Sequence, residues 1–420
     1  MGTRERSGPI RHSLANAIPV LRVDLPDSPL ICIDFWCRAG SAAETTEESG
    51  IAHFLEHMVF KGSRMLAPGE FDRRIEALGG SSNAATGFDD VHFHVLIPPQ
   101  GAPEALRLLL DLVLEPRLDA REFQMERQVV LEELAQSEDQ PEELALQHLL
   151  AQACPNHPYG QPILGQRQQL LSHDPARMAS FHDRTYGAGG CCLVLSGALS
   201  DGALSDIDWI TPLEHSRLAQ LPPLPTIKVA PALNLSTGEE RLRLPRLESA
   251  RLLMAWQLPP AADLEAVAGA DLLTTLLAEG RRSRLVARLR EELRLVESID
   301  LDLHVLEGGS LALLEAVCEE EQLPACRQAI DRVWQELMET PPSEVEWGRA
   351  QRLVGNGHRF SLEAAGSVAG LVGSQALWER PLDLQAPLKL LERWTPARLQ
   401  RELLPLLAPS RSFCLEAVPA

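Results

Sequence analysis

The chain has 420 residues, of which 45% are hydrophobic, and a formal net charge of -20 at pH 7. That length exceeds what one ordinary hydrophobic core accommodates, so we expect two or more domains. The negative charge argues against binding to nucleic acids and to anionic membranes, since both would repel the chain. It fits either basic partners or an acidic surface that serves only solubility.

Features that would direct the chain to a membrane or out of the cell are missing from the sequence. No apolar run approaches the ~20 residues of a transmembrane helix, and the N-terminus lacks the apolar core of a secretory signal. The eight cysteines are scattered without a C-x-x-C pair, which favours buried thiols in a reducing compartment over disulfides. We therefore expect a cytoplasmic protein.

The first half of the chain predicts strands and helices in close succession. Apolar residues either alternate or cluster, as in strands, or recur at helical spacing, and Gly and Asn residues mark the turns. We expect a strand pair at 9–25 with a turn at Asn16-Ala17, strands at 29–36, 82–97 and 191–195, and helices at 71–78, 102–114, 119–136 and 174–186.

One further helix is predicted around residues 53–57, between the apolar strand at 29–36 and the helix at 71–78. Its interior is rich in apolar side chains, and Gly62 is a natural stop. At its start, threonines can cap the helix and two acidic residues suit the positive end of its dipole. These residues are Thr45, Thr46, Glu47 and Glu48.

This helix carries two histidines that are spaced for a single metal ion. His53 and His57 lie four residues apart, so both imidazoles project from the same side of the helix. Glu56 places a carboxylate beside the same site. A chance H-x-x-E-H pattern is expected in roughly one or two chains per hundred of this composition, so a third ligand is needed to support a site.

Candidates for the third ligand lie on the helix predicted at 119–136. Glu126 and Glu133 are seven residues apart and share a stripe beside the apolar stripe of that helix. A carboxylate at the edge of a core is costly unless it is paired or bound to a cation. Glu132 points elsewhere and is expected to be solvated. The alternative is a helix surface stabilised by salt bridges, without a metal.

A proline-containing linker at 215–237 separates two related halves. Beyond it, the predicted strands and helices repeat the order of the first half at an offset of about 220 residues. We therefore expect two copies of one α+β unit, at 1–214 and 238–420. Only the first contains the histidine pair, so the second is expected to be a structural half and not a second active site.

Taken together, these motifs resemble the pitrilysin family of inverted zincins, which includes insulysin and the mitochondrial processing peptidases. The resemblance extends over nearly the whole chain. It rests on His53-Phe-Leu-Glu-His57 followed by Met58-Val-Phe-Lys-Gly62, on Glu126-x6-Glu133, and on Asn83-Ala84-x-Thr86, His157-Pro-Tyr-Gly160, Phe181-His182-x3-Tyr186 and Ser283-Arg284-Leu285 leading to Leu289-Arg290-Glu291-Glu292.

The resemblance implies an α+β fold of two homologous domains, each an antiparallel sheet with helices packed on one side, that form half of a clamshell chamber. It also implies that His53, His57 and Glu133 bind one Zn²⁺ per chain and that Glu56 is the general base. Glu126 would be a carboxylate that does not bind the metal itself but orients one of its ligands. Two imidazoles and one carboxylate would leave the fourth coordination position of the zinc open, as a catalytic site requires.

The resemblance also assigns residues to substrate binding. Asn83 and Ala84 match an edge strand that pairs with the substrate backbone, and Arg290 matches an arginine that reaches the substrate across the chamber. The family often has a tyrosine seven residues after that arginine, where this chain has Glu297. This departure leaves the role of that position open.

We therefore predict a zinc-dependent endopeptidase that cleaves extended or unfolded peptides in a closed chamber, with zinc-bound water activated by Glu56. A non-catalytic structural or assembly subunit of the same fold is the alternative. A hydrolase of ester or amidine bonds is a third reading, against which the Asn83-Ala84 edge strand argues.

A partner is also expected, because two α+β copies supply only half of the family's chamber. A heterodimer with a homologous chain that contains the complete Arg…Tyr pair is favoured over a homodimer that relies on Arg290 alone. The negative charge of the chain fits a basic peptide as substrate, and it equally fits an acidic surface that serves only solubility.

Overall fold

The computed structural model describes residues 8–199, 208–226 and 228–420. Apolar strands in these segments assemble into two sheets. The strands are β1 (Ile10–Ser13), β2 (Pro19–Asp24), β3 (Ile31–Cys37), β4 (Ser81–Thr86), β5 (Val91–Ile97), β6 (Cys191–Gly197), β7 (Gly238–Leu244), β8 (Ala250–Leu258), β9 (Ser298–His304), β10 (Ser310–Cys318) and β11 (Phe413–Pro419).

Groups of helices connect groups of these strands, and side chains cap several of the helices. The helix Pro175–Thr185, for example, begins where Asp174 accepts a hydrogen bond from the backbone N–H of Arg177. The helices are α1 (Ile51–Val59), α2 (Glu70–Ala77), α3 (Ala102–Leu114), α4 (Ala120–Glu138), α5 (Pro141–Ala153), α6 (Arg167–Ser172), α7 (Pro175–Thr185), α8 (Thr211–Glu214), α9 (Arg217–Gln220), α10 (Leu264–Ala278), α11 (Leu323–Glu339), α12 (Glu344–Ser361), α13 (Ala365–Leu377), α14 (Ala386–Leu391) and α15 (Pro396–Glu402).

The two sheets share one five-stranded topology, to which the first sheet adds β1 at one edge. The first has the strand order β1-β2-β6-β3-β5-β4 and the second the order β7-β11-β8-β10-β9. In each sheet one pair is parallel, β2 with β6 and β7 with β11, and the other neighbours are antiparallel. This repetition confirms the predicted fold class of two homologous α+β halves.

The central strand β3 is buried along its whole length and therefore contacts a core on both faces. Successive side chains of a strand point to opposite faces. Ile31, Ile33 and Phe35 face the core that contains α1, α3 and α4. Cys32 and Trp36 face the core formed with α13. A Cβ on Gly373 of α13 would lie 2.2 Å from Nε1 of Trp36, so this helix approaches the sheet closely only because a glycine is there.

The chain divides into two compact units that do not follow the chain sequentially. The first unit contains residues 1–134, 162–229 and 360–384, and the second contains 135–161, 230–359 and 385–420. Each sheet is therefore covered on its second face by a helix from the other half of the sequence, α13 on the first sheet and α5 on the second. The sequential domains predicted at 1–214 and 238–420 do not anticipate this exchange.

Two local features differ from the expectation. The single strand predicted at 82–97 is the hairpin β4–β5, because Gly87 donates its N–H to the carbonyl of Asp90 at 2.8 Å and closes a turn. Helix α1 begins after Gly50, whose φ of 84° is left-handed, so Glu47 and Glu48 lie in a separate 3₁₀ turn before the helix. Thr45 and Glu48 form a capping box on this turn and not on α1, so the prediction that Thr45 or Thr46 caps α1 is wrong.

No helix within the described segments is both long and apolar enough to cross a bilayer. The eight cysteines are all buried thiols, as expected.

The first turn of α1 depends on a carboxylate from outside the helix. Glu44 accepts the backbone N–H of Gly50 at 3.0 Å and that of Ala52 at 2.8 Å. These N–H groups have no partner within the helix. We expect Glu44→Ala to lower the free energy of unfolding by about 1–2 kcal/mol, the usual effect of losing a cap. Urea unfolding of the purified chain measures this.

Glu47→Ala is the matched control, because Glu47 is exposed in the neighbouring 3₁₀ turn. Equal stability of the two variants would contradict the capping role of Glu44.

Candidate metal centre

Helix α1 is fixed in position by its apolar side chains. Ile51, Phe54, Leu55 and Met58 are fully buried in the core beneath the first sheet. This packing leaves the intervening positions for polar side chains at the surface of the core. His53 is 9% exposed at one such position.

Helix α4 lies against α1 through an aromatic contact between Phe54 and Phe123, whose ring centroids are 4.6 Å apart. Glu126 is buried and Glu133 is half-buried on the side of α4 that faces the histidines. Glu132 is exposed, as its position in the sequence predicts.

The structure brings the two histidines and Glu133 together. Nε2 of His53 lies 3.7 Å from Oε1 of Glu133, and Nε2 of His57 lies 3.3 Å from Oε2. Metal–ligand bonds of 2.0–2.1 Å in tetrahedral geometry place ligand atoms about 3.4 Å apart. Two imidazole nitrogens and one carboxylate at this spacing therefore fit a zinc ion.

Glu56 is held beside this group by a residue of the sheet. The hydroxyl of Thr86, the last residue of β4, donates a hydrogen bond to Oε2 of Glu56 at 2.5 Å. The role of Thr86 was not identified from the sequence, although it lies within the Asn83-Ala84-x-Thr86 motif. Only the fold shows that the end of β4 reaches helix α1.

Glu126 binds the opposite nitrogen of His57. Nδ1 of His57 donates to Oε1 of Glu126 at 2.9 Å, and Nζ of Lys61 lies 2.7 Å from Oε2. Burial opposes ionisation of Glu126, but the hydrogen bonds from His57 and Lys61 outweigh it and lower its pKa. Glu126 thus orients the ring of His57, with Nε2 turned towards Glu133. Lys61, which lies four residues after His57 and just beyond the end of α1, had no role in the sequence-based prediction.

Burial and charge shift the pKa values of the group in different directions. Burial and the charge of His57 lower the pKa of His53 to about 4, so this imidazole is neutral, as a metal ligand must be. Burial disfavours the charged form of His57, but Glu126 and Glu133 outweigh it and raise the pKa of that histidine. Burial also raises the pKa of Glu56.

Comparison with known proteins identifies the family of the chain. A family model described as "Insulinase (Peptidase family M16)" matches residues 22–167, and one described as "Peptidase M16 inactive domain" matches residues 173–354. The chain belongs to peptidase family M16. The resemblance to the insulysin family noted from the motifs is therefore confirmed.

Individual relatives of this M16 chain are named as proteases or peptidase subunits. An "Uncharacterized zinc protease" of Rickettsia felis is 29% identical over 286 residues, which is 68% of each chain. The mitochondrial-processing peptidase subunit beta of Lentinula edodes is 30% identical over 192 residues, 46% of this chain and 41% of the relative. A protease from Helicobacter pylori has the same fold, with a TM-score of 0.88, 22% identity and coverage of 99% of this chain and 100% of that one.

The substrate-binding residues predicted for this M16 chain lie in two places. Asn83 and Ala84 are in β4, which is the edge strand of the first sheet. Arg290 lies in a π-helical turn at Val286–Glu292 of the second compact unit, where its guanidinium contacts Glu291 at 2.9–3.0 Å. Glu297 is exposed just before β9.

The other histidine motifs of the M16 chain have structural partners. Nε2 of His157 lies 2.9 Å from the carbonyl of Pro231, and Nε2 of His182 lies 2.8 Å from that of Val113. Both rings are buried and stack or pack against tyrosines, Tyr159 and Tyr186. These motifs support the fold and do not add ligands to the group around His53.

Metal content distinguishes the roles of the acidic residues on α4. We expect Glu133→Gln to lose most of its zinc, because an amide is a weaker ligand than a carboxylate. Glu126→Gln should lose less zinc. Its affinity for zinc should fall about 10–100-fold, which is typical when a group that orients a metal ligand is lost. Metal analysis of the purified variants measures both.

Glu132→Gln is the matched control on the same helix and should keep the zinc of the wild type. Full zinc retention by Glu133→Gln would remove Glu133 from the ligand set and make Glu132 the next candidate.

Proposed function

We propose that the protein is a zinc-dependent endopeptidase that cleaves extended or unfolded peptides. The observation that supports this is the convergence of His53, His57 and Glu133, with the carboxylate of Glu56 held beside them by Thr86. In this proposal His53, His57 and Glu133 hold one Zn²⁺, and Glu126 orients His57. The names of relatives such as the Rickettsia felis zinc protease agree with it.

The proposed chemistry divides between the metal and Glu56. Bound Zn²⁺ would supply a Lewis acid that polarises the scissile carbonyl and acidifies water. Glu56 takes the proton of the attacking water and passes it to the leaving amine. Since Oε2 accepts the hydrogen bond of Thr86, Oε1 is the atom proposed to carry the proton. The raised pKa of Glu56, caused by burial, brings this acid–base group closer to neutral pH.

The edge strand β4 supports peptides as the substrate class. Its neighbour within the first sheet is β5, and no other strand of the described residues pairs with it, so an added strand could pair with its other side. Thr86 at the end of β4 contacts Glu56, so a peptide paired with Asn83 and Ala84 would run past the base. Backbone pairing selects extended chains, and we propose that Arg290 also binds substrate.

Substitution of Glu56 separates this proposal from a non-catalytic subunit of the same fold. We expect Glu56→Gln to keep its zinc and its stability while losing 10²–10⁴ in kcat/KM, the typical contribution of a general acid–base group. Cleavage of an unfolded, fluorescently labelled peptide measures this, with and without a chelator.

Glu47→Gln, an exposed glutamate near the start of α1, is the control and should cleave at the wild-type rate. A Glu56→Gln rate within a few-fold of the wild type would exclude Glu56 as the base. Absence of chelator-sensitive cleavage in the wild type, even with its partner, would favour the structural subunit.

We also propose that a homologous chain completes the site. Both tyrosines of this chain are buried: Tyr159 accepts the backbone N–H of Gly308, and Tyr186 stacks on His182. Neither can offer a phenol to a substrate, and the exposed Glu297 cannot donate a hydrogen bond when ionised. A homodimer would therefore lack an accessible tyrosine, which favours a heterodimer with a chain that has one. The mitochondrial-processing peptidase subunit beta among the relatives is named as a subunit.

The partner proposal is tested by assaying the chain alone. We expect low activity on an unfolded basic peptide, and a gain on adding a homologue from the same genome that lacks the metal motif but has the Arg…Tyr pair. Light scattering gives the mass of each species. A homodimer of this chain with vigorous zinc-dependent cleavage would contradict the heterodimer.

A further inference from the structure

A second group of potential ligands lies on the opposite face of the first sheet. Asp34 is in β3, and His92 and His94 are in β5. Asp34 is paired with His94 across the two strands, and Trp36 is paired with His92. Since residues two apart on a strand share a face, both imidazoles and the carboxylate point to the face that α13 covers.

Asp34 is an unusual residue for its position. It lies in the middle of a strand that is buried throughout, and its side chain is 2% exposed. A carboxylate in such a place is costly unless it is hydrogen-bonded or bound to a cation. Nδ1 of His92 donates to Oδ1 of Asp34 at 3.0 Å, which satisfies one oxygen.

The two imidazoles are arranged in parallel beside this carboxylate. The ring of His92 stacks on Trp36 with centroids 4.2 Å apart, and the ring of His94 stacks on that of His92 at 5.5 Å. Nδ1 of His94 is buried and has no hydrogen-bond partner. A merely structural Asp–His contact explains the position of His92 but leaves this nitrogen of His94 unsatisfied.

The three side chains lie close enough together to reach one metal ion. One ligand atom from each of Asp34, His92 and His94 lies within 4.8 Å of the other two. The only other group of the described residues that meets this criterion is His53, His57 and Glu133. Small side-chain rotations would bring 4.8 Å to the ~3.4 Å that 2.0–2.1 Å metal bonds require.

We propose that Asp34, His92 and His94 form a second zinc site. Two imidazoles and a carboxylate are a donor set that suits Zn²⁺ and related first-row divalent ions. The imidazoles are half-buried, so an ion can reach them from solvent. The ion would link β3 to β5 and so stabilise the edge of the sheet, where β5 pairs with β4. This proposal does not depend on the proposed peptidase activity.

The stoichiometry of zinc tests the site. A double variant, His53→Gln with Glu133→Gln, removes the group around His57. The chain is loaded with Zn²⁺, and excess metal is removed by gel filtration. The zinc content per chain is then measured. We expect two zinc ions in the wild type, one in this double variant, and none when His94→Gln is added. Complete absence of zinc from the double variant would overturn the proposal.

Two controls exclude non-specific binding and misfolding. His148→Gln, which changes another half-buried histidine, should leave the zinc of the double variant in place. If His148→Gln removed the remaining zinc, or if His94→Gln retained it, the zinc would be bound by scattered histidines and not by the proposed site. Because an ion that binds only the folded state raises its stability, added Zn²⁺ should raise the Tm of the double variant and leave that of the His94→Gln triple variant unchanged. Asp34→Asn provides a second variant with the same expected loss.

Discussion

The packing of α1 between α4 and the first sheet determines the geometry of the candidate site. Phe54 is fully buried and meets Phe123 of α4, while Phe93 of β5 lies in the same core. These contacts set the distance and rotation of the two helices, so the imidazoles of one face the carboxylates of the other. Rigid helices position side chains more precisely than loops do, and a metal site tolerates little error in the distances between its ligands.

This packing concentrates charged and ionisable groups at the border of the core, where the charges must balance. Glu56, Glu126 and Glu133 all lie near His57. The ammonium of Lys61 neutralises Glu126, so the carboxylates of Glu56 and Glu133 carry the excess negative charge. A divalent cation held by His53, His57 and Glu133 would offset it, so the electrostatics of the chain and the proposed metal are consistent with each other.

Much of this arrangement could be predicted from the sequence because it depends on local periodicity. The spacing of His53 and His57 within one helix, and of Glu126 and Glu133 within another, places each pair on one side of its helix without knowledge of the fold. The contact between Thr86 and Glu56 could not be predicted, since it joins a strand to a helix 30 residues away.

The same limit explains the exchange of covering helices. α5 and α13 are adjacent in sequence to one sheet and pack on the other. Hydrophobic periodicity shows that such a helix has an apolar face but does not show which sheet that face covers. The turn at Gly87–Asp90 was missed for a different reason: alternation continues through both strands of the hairpin, so the pattern alone does not mark its centre.

The helix of the second half that corresponds to α1 has a different composition. Helix α10 follows β8 as α1 follows β3, and Leu272, Leu273, Leu276 and Leu277 bury it almost completely. Apolar side chains supply most of its buried surface, and Asp263 caps its first turn by accepting the backbone N–H of Ala266. In α1, two histidines and Glu56 replace part of that apolar surface, and the helix begins at a left-handed glycine capped by Glu44. Helices at corresponding places in the two halves therefore differ in what they present to the core, leucines in α10 and ionisable side chains at the edge of the core in α1, where the proposed zinc site would give those groups a partner.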